Sequence, residues 1–136
     1  MPEGLYLDTS AVLRAVIETG TTPDVEEQIR RAEVLVTSRL SLVEAARVLV
    51  RLRLSSAIPE RRLGDAEREI ASVWARCDLW ELTPAVCELA AHVAPGKGLR
   101  ALDALHLATF VLARRRLAGL ELLTVDERLR EAAETS

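Results

Sequence analysis

Leu5-Tyr6-Leu7-Asp8-Thr9-Ser10-Ala11 is a short apolar run that ends on a carboxylate and passes straight into a helix-start signal. Leu5 to Leu7 are too few for a helix, but they suit a strand buried on both faces of a parallel sheet. Ser10 is the expected cap of a helix beginning at Ala11. Asp8 then stands at the carboxyl end of a first strand, where open α/β sheets place their ligands, unless it serves only to cap the next helix.

Working outward, the same alternation recurs. A short helix over Ala11 to Thr19 is stopped by Gly20-Thr21-Thr22-Pro23, and a second, opened by the Thr22-Pro23-Asp24 cap signal, runs to about Ala32. Val34-Leu35-Val36-Thr37 reads as the second strand and Ser38 to Leu54 as a long helix. After the break at Ser55-Ser56-Ala57-Ile58-Pro59, a helix over about Glu60 to Arg76 carries the apolar stripe Leu63, Ala66, Ile70, Val73 and Trp74. Leu79 to Leu82 is the expected third strand, and Thr83-Pro84 opens a further helix. Pro95-Gly96-Lys97-Gly98 is a loop, and Arg100 to Ala118 a helix apolar nearly all round, hence buried. Leu120 to Val125 and Asp126 to Glu134 supply a last strand and helix. Alternating strands and helices predict one α/β domain over 1–136, a parallel four- to five-stranded sheet with helices on both faces.

Composition narrows the class. At 136 residues there is room for one core, and with 49% hydrophobic but only 3% aromatic residues that core is built from Leu, Val, Ala and Ile. A formal charge of −3 disfavours indiscriminate coating of DNA. Lys97 is the sole lysine, so the positive charge is almost all arginine, which grips phosphate bidentately. Cys77 and Cys87 show no zinc spacing and read as buried thiols in helical contexts. With Asp8 too early for a signal-peptide core and no run near the ~18 apolar residues of a membrane span, the expectation is a cytoplasmic protein.

Asp8, Glu44, Asp103 and Asp126 occupy comparable places. Asp8 and Asp126 follow strands directly, and Glu44 and Asp103 fall in what read as the first turns of helices. In a parallel sheet those positions share one edge, so all four can converge. Each also has a plainer role. Ser41 to Glu44 and Thr124 to Glu127 match capping boxes, while Asp103, flanked by Leu102, Ala104 and Leu105, is harder to explain so. Four ionised carboxylates repel one another unless a cation lies among them. All-oxygen ligation points to Mg²⁺ or Mn²⁺, and such ions serve phosphodiester cleavage. Ser10 and Thr124 can add hydroxyls to that site.

Leu7-Asp8-Thr9-Ser10-Ala11, Ser38-Arg39-Leu40-Ser41-Leu42-Val43-Glu44, Ala101-Leu102-Asp103-Ala104-Leu105-His106-Leu107-Ala108 and Leu123-Thr124-Val125-Asp126-Glu127-Arg128-Leu129 together resemble the PIN-domain ribonucleases, and among them the VapC-type toxins of bacterial toxin–antitoxin pairs. The resemblance implies a Mg²⁺- or Mn²⁺-dependent endoribonuclease, a homodimer restrained by a small VapB-like antitoxin. It also implies Asp8, Glu44 and Asp103 as metal ligands, Asp126 as the fourth metal-binding acid, acting through water or on a second ion, and Ser10 as the hydroxyl after the first acid. The alternatives are a housekeeping PIN nuclease and a non-catalytic module of the same fold that binds RNA or protein. A haloacid-dehalogenase-like phosphatase also starts with an aspartate after a first strand, but needs a second acid where Ser10 stands.

The remaining polar residues speak less clearly. Arg100 and His106 flank Asp103 at three residues on roughly one helix face, Arg100 as a phosphate or acid partner and His106 as a packed histidine. Arg47, Arg51 and Arg53 are placed to flank a groove. Arg114-Arg115-Arg116 reads as a solvated helix end, His92 as a surface histidine, and Trp74 and Trp80 as core or dimer contacts.

Overall fold

In a computed structural model, which describes residues 4–136, four short strands pair in parallel. They are Gly4–Leu7 (β1), Val34–Ser38 (β2), Cys77–Trp80 (β3) and Leu120–Leu123 (β4), in the order β3-β2-β1-β4. Residues 1–3 of the expected 1–136 domain lie outside the described residues. The helices are Thr9–Ile17 (α1), Pro23–Arg31 (α2), Arg39–Ser55 (α3), Glu60–Ala75 (α4), Pro84–Ala90 (α5), Ala101–Arg116 (α6) and Glu127–Glu134 (α7).

Strand periodicity sorts the sheet residues between two cores. Leu5, Leu7, Leu35 and Leu123 face α1, α3 and α4, whose Val12, Leu49, Leu63 and Ile70 fill the first. Tyr6, Val36 and Leu120 face α6 and α7, whose Leu107, Phe110 and Leu129 fill the second. Helices therefore cover both faces, as the alternation predicts. Trp74 packs against the first core and Trp80 against the second. Gly119, at φ +82°, takes the left-handed turn that brings the chain from α6 into β4.

The connections place the functional edge. From β1 the chain steps to β2 and then β3, and returns on the other side of β1 as β4. The helix after β1 lies on one face and the helix after β4 on the other. The crevice of the sheet thus opens between the carboxyl ends of β1 and β4, beside Asp8 and Asp126.

Local details differ from the sequence reading at the caps. Asp8, not Ser10, caps α1 by accepting from the Ala11 N–H at 3.1 Å. Ser38 caps α3 through the Leu40 N–H, and Ser41 lies inside the helix against the Thr37 hydroxyl at 2.8 Å, so the Ser41–Glu44 capping box does not form. Glu44 sits in the second turn of α3 and not its first. Asp126 itself caps α7, accepting from the Arg128 and Leu129 N–H groups, which leaves the Thr124 hydroxyl free for another task. The third strand begins two residues earlier than Leu79, because pairing with β2 runs from Leu35–Cys77 to Ser38–Trp80. Glu81 falls beyond it and pairs with Arg39. Cys77 is a half-buried strand residue, not a helical one, and Cys87 is exposed on α5 where a buried thiol was expected. Both are free thiols.

Candidate active site

Asp8, Glu44, Asp103 and Asp126 all line one open depression of about 530 Å³ at the carboxyl edge of the sheet. A neighbouring depression shares Glu44, Leu102, Asp103 and Asp126 and adds Arg100 and Arg128. The acids therefore stand on the divide between two hollows. A hollow of similar size between α1 and α4 carries only surface acids (Glu18, Asp65 and Glu69), so size does not distinguish the site; its buried carboxylate does.

Asp8 is 5% exposed and held by a hydroxyl cradle. The Ser10 hydroxyl donates to Asp8 Oδ1 at 2.8 Å and Oδ2 at 3.0 Å, and the Thr124 hydroxyl donates to Oδ2 at 2.9 Å. In turn Thr124 accepts the Asp126 N–H at 3.0 Å and Ser10 accepts the Val125 N–H at 3.3 Å. The turn after β4 is thereby tied to the end of β1. Burial pushes the Asp8 carboxyl above its ordinary range, against the pull of its hydrogen bonds from Ser10, Ala11 and Thr124. Ser10 and Thr124 thus both hydrogen-bond the Asp8 carboxyl.

Glu44 projects from α3 toward the same depression. One of its oxygens, Oε1, accepts from the Thr9 hydroxyl at 2.7 Å and lies 2.6 Å from His106 Nε2. Burial raises the Glu44 carboxyl, but the bonds from His106 and Thr9 outweigh it and hold the group below its ordinary value. Asp103, in the first turn of α6, is raised by burial and then by the charges of Asp126 and Glu44.

Most surface acids with a partner here have an arginine, as in Glu81 with Arg39 or Glu60 and Glu67 with Arg53. Among the described residues, no lysine or arginine pairs with Asp8, Glu44, Asp103 or Asp126. Nor, among those residues, are three His, Cys, Asp or Glu side chains gathered tightly enough to hold a metal ion as they stand. Asp8 gives both oxygens, and Glu44 one, to protein donors. The donor set suits a hard divalent cation, since the oxygens are carboxylate oxygens that share one hollow and, among the described residues, have no lysine or arginine paired to them.

Arg47 and Arg51 line the first depression from α3, as the groove reading expects, whereas Arg53 turns away to Glu60 and Glu67 and leaves it. Arg114 lies over the Phe110 ring at 4.8 Å and Arg116 over Trp80 at 5.7 Å, so this helix end packs on aromatic faces as well as meeting solvent. His92 is exposed. The groups that sequence reasoning passed over are Thr9 and Tyr6. Their signal was weak: Thr9 sits between two more prominent polar residues, and Tyr6 looks like any strand residue.

A model of the PIN domain family matches residues 5–135. Over 132 residues, 96% of this chain and 90% of the relative, the sequence is 35% identical to ribonuclease VapC35 of Mycobacterium tuberculosis. Ribonuclease VapC46 of the same organism is 33% identical over 96% of this chain and 91% of its own length. Among solved structures, PAE2754 from Pyrobaculum aerophilum superimposes with a TM-score of 0.67 at 21% identity, covering 97% of this chain and 85% of that one. The sarcin–ricin-loop-cleaving toxin VapC20 of M. tuberculosis does so at 0.65 and 16% identity, covering 94% of each. The parallel sheet, its acid-lined edge and the sequence match over nearly the whole length lead to one assignment: the chain belongs to the PIN domain family, and its relatives are VapC ribonucleases.

Proposed function

We propose that this protein is an endoribonuclease that depends on Mg²⁺ or Mn²⁺, and that it is the toxin of a VapBC-type pair. The observation that carries the reading is the meeting of four carboxylates, from the ends of β1 and β4 and from α3 and α6, around one hollow in which, among the described residues, no lysine or arginine pairs with them. The ribonuclease names of the relatives support the substrate class.

Asp8, Glu44 and Asp103 would hold the ion, and Asp126, which lines the same hollow, would act through water or on a second ion. When bound, such an ion lowers the pKa of a water and offsets charge on a phosphodiester in the course of hydrolysis. The chain does the rest. Ser10 and Thr124 fix the Asp8 carboxylate in one orientation. Arg47 and Arg51 on one side, and Arg100 and Arg128 on the other, offer guanidinium groups to RNA phosphates on either side of the acids. Because the attacking oxygen would come from water, the RNA 2′-hydroxyl is not needed as nucleophile; expulsion of the 3′-oxygen, which the resemblance to PIN-domain ribonucleases implies, would leave a 5′-phosphate and a free 3′-hydroxyl.

A chain of like fold is part of a toxin–antitoxin complex from Klebsiella pneumoniae, which supports a VapB-like antitoxin as the partner here. A homodimer acting in the cytoplasm completes the proposal; among the described residues no helix is long and apolar enough to cross a membrane. Incubation of the purified protein with RNA, with Mg²⁺ or with EDTA, tests the reading. Metal-dependent fragments with 5′-phosphate ends are expected, and cleavage that persists undiminished in EDTA would overturn it. Growth arrest on expression, relieved by a neighbouring small protein, separates a toxin from a housekeeping nuclease.

A further inference from the structure

Beneath the acids runs a second polar feature that the proposed chemistry does not use. His106 is 3% exposed, and both its ring nitrogens are engaged. Nδ1 lies 2.9 Å from the Tyr6 hydroxyl and Nε2 lies 2.6 Å from Glu44 Oε1. The Thr9 hydroxyl donates to that same Oε1 at 2.7 Å. Tyr6 is fully buried in the central strand, and its ring meets those of His106 and Phe110 edge-on.

The donors and acceptors run in one direction. A carboxylate only accepts, so Nε2 must carry the proton toward Glu44. In a neutral ring Nδ1 is then the acceptor, and Tyr6 is the donor that fixes this tautomer. Two donors thus converge on Glu44 Oε1, while Oε2 has no hydrogen-bond partner among the described residues.

We infer that Tyr6, His106 and Thr9 form a buried clamp that fixes Glu44 by one oxygen and presents the other, Oε2, as a single-oxygen ligand to a divalent cation. His106 is accordingly a positioning residue and neither a general base nor a metal ligand. The inference rests on the metal reading above. Outer partners that orient a ligating carboxylate typically change metal affinity by about 10–100-fold when removed.

Binding of Mn²⁺ alone, without RNA, to native protein and to two His106 variants tests this by calorimetry, with thermal unfolding in EDTA as the control for folding. In His106→Gln the amide nitrogen replaces Nε2 as donor to Glu44, whereas in His106→Asn the shorter side chain reaches Tyr6 and not Glu44. The clamp predicts that Asn weakens Mn²⁺ binding about tenfold or more and that Gln restores it to within about threefold of native. Thr9→Val, close to isosteric, should weaken binding while leaving unfolding near native, and it serves if either His106 variant fails to fold. Native binding of Mn²⁺ with Asn and Gln equally tight, or with Thr9→Val unchanged, overturns the clamp and leaves the metal reading standing. No Mn²⁺ binding by native protein overturns both.

Discussion

Thr124→Val replaces a hydroxyl by a methyl with almost no change of shape, at a side chain that is 1% exposed. It removes two bonds: the hydroxyl's donation to Asp8 Oδ2 at 2.9 Å and its acceptance of the Asp126 N–H at 3.0 Å. A bond to a charged group contributes about 1.5–3 kcal/mol and an orphaned donor costs about 1–3 kcal/mol. Partial compensation from Ser10, which also donates to Asp8, argues for a total of about 2–4 kcal/mol. For a chain of this length that corresponds to a drop in Tm of roughly 6–15 °C. The loss should depend on pH with a definite sign. Asp8 already titrates above 3.8 because it is buried. Losing a donor to its ionised form raises it further, and a folded-state pKa above the unfolded one means stability falls as pH rises through it. The deficit of Thr124→Val should be smallest at acid pH well below the ordinary carboxylate range, where Asp8 is protonated in both states, and largest at neutral pH. Urea unfolding in EDTA across that range measures it. A deficit below about 0.5 kcal/mol at pH 7, or one independent of pH, would refute the assignment of Thr124 as the group that orients Asp8.

Other outcomes follow from the same geometry. Asp8→Asn retains an N-cap of equal quality for α1, so it should fold normally by circular dichroism yet lose cleavage by at least about a hundredfold. Arg47→Ala and Arg51→Ala, at exposed positions on the rim, should leave stability within about 0.5 kcal/mol. Each should flatten the salt dependence of RNA binding by about 0.7 in log–log slope, measured with an uncleavable RNA. Cys87 is exposed, whereas burial pushes the Cys77 thiol up to about 12; a thiol reagent at pH 8 should therefore modify one cysteine rapidly and spare the other until unfolding.

The fold was legible because its signals are local and repeated. Leu5-Tyr6-Leu7 and Val34-Leu35-Val36 are short apolar runs between helical periods, and both became central strands. The edge strand was misplaced for the opposite reason. Cys77 to Trp80 are half-exposed, so their own pattern is faint, and their register is set by pairing with β2, which no local period records. Asp8 and Asp103 stood out as acids in apolar settings, and the sheet brings them with Glu44 and Asp126 to one hollow. The caps were misjudged because Ser10, Ser41 and Thr124 have capping spacing, yet each hydroxyl serves another partner: Ser10 and Ser41 bond the nearby Asp8 and Thr37, and Thr124 bonds Asp8 across 116 residues of chain. The Tyr6–His106 contact joins residues 100 apart in sequence, across the sheet, and only packing shows it.

The central claim is that these carboxylates surround one hard cation. Crystals grown or soaked in Mn²⁺ test it through the anomalous signal of the metal. A peak in the hollow about 2.0–2.6 Å from carboxylate oxygens of Asp8 and Asp103, with Glu44 or Asp126 joining, is the predicted result. A map with manganese only at exposed acids such as Glu18, Asp65 and Glu69, and none in the hollow, would contradict it.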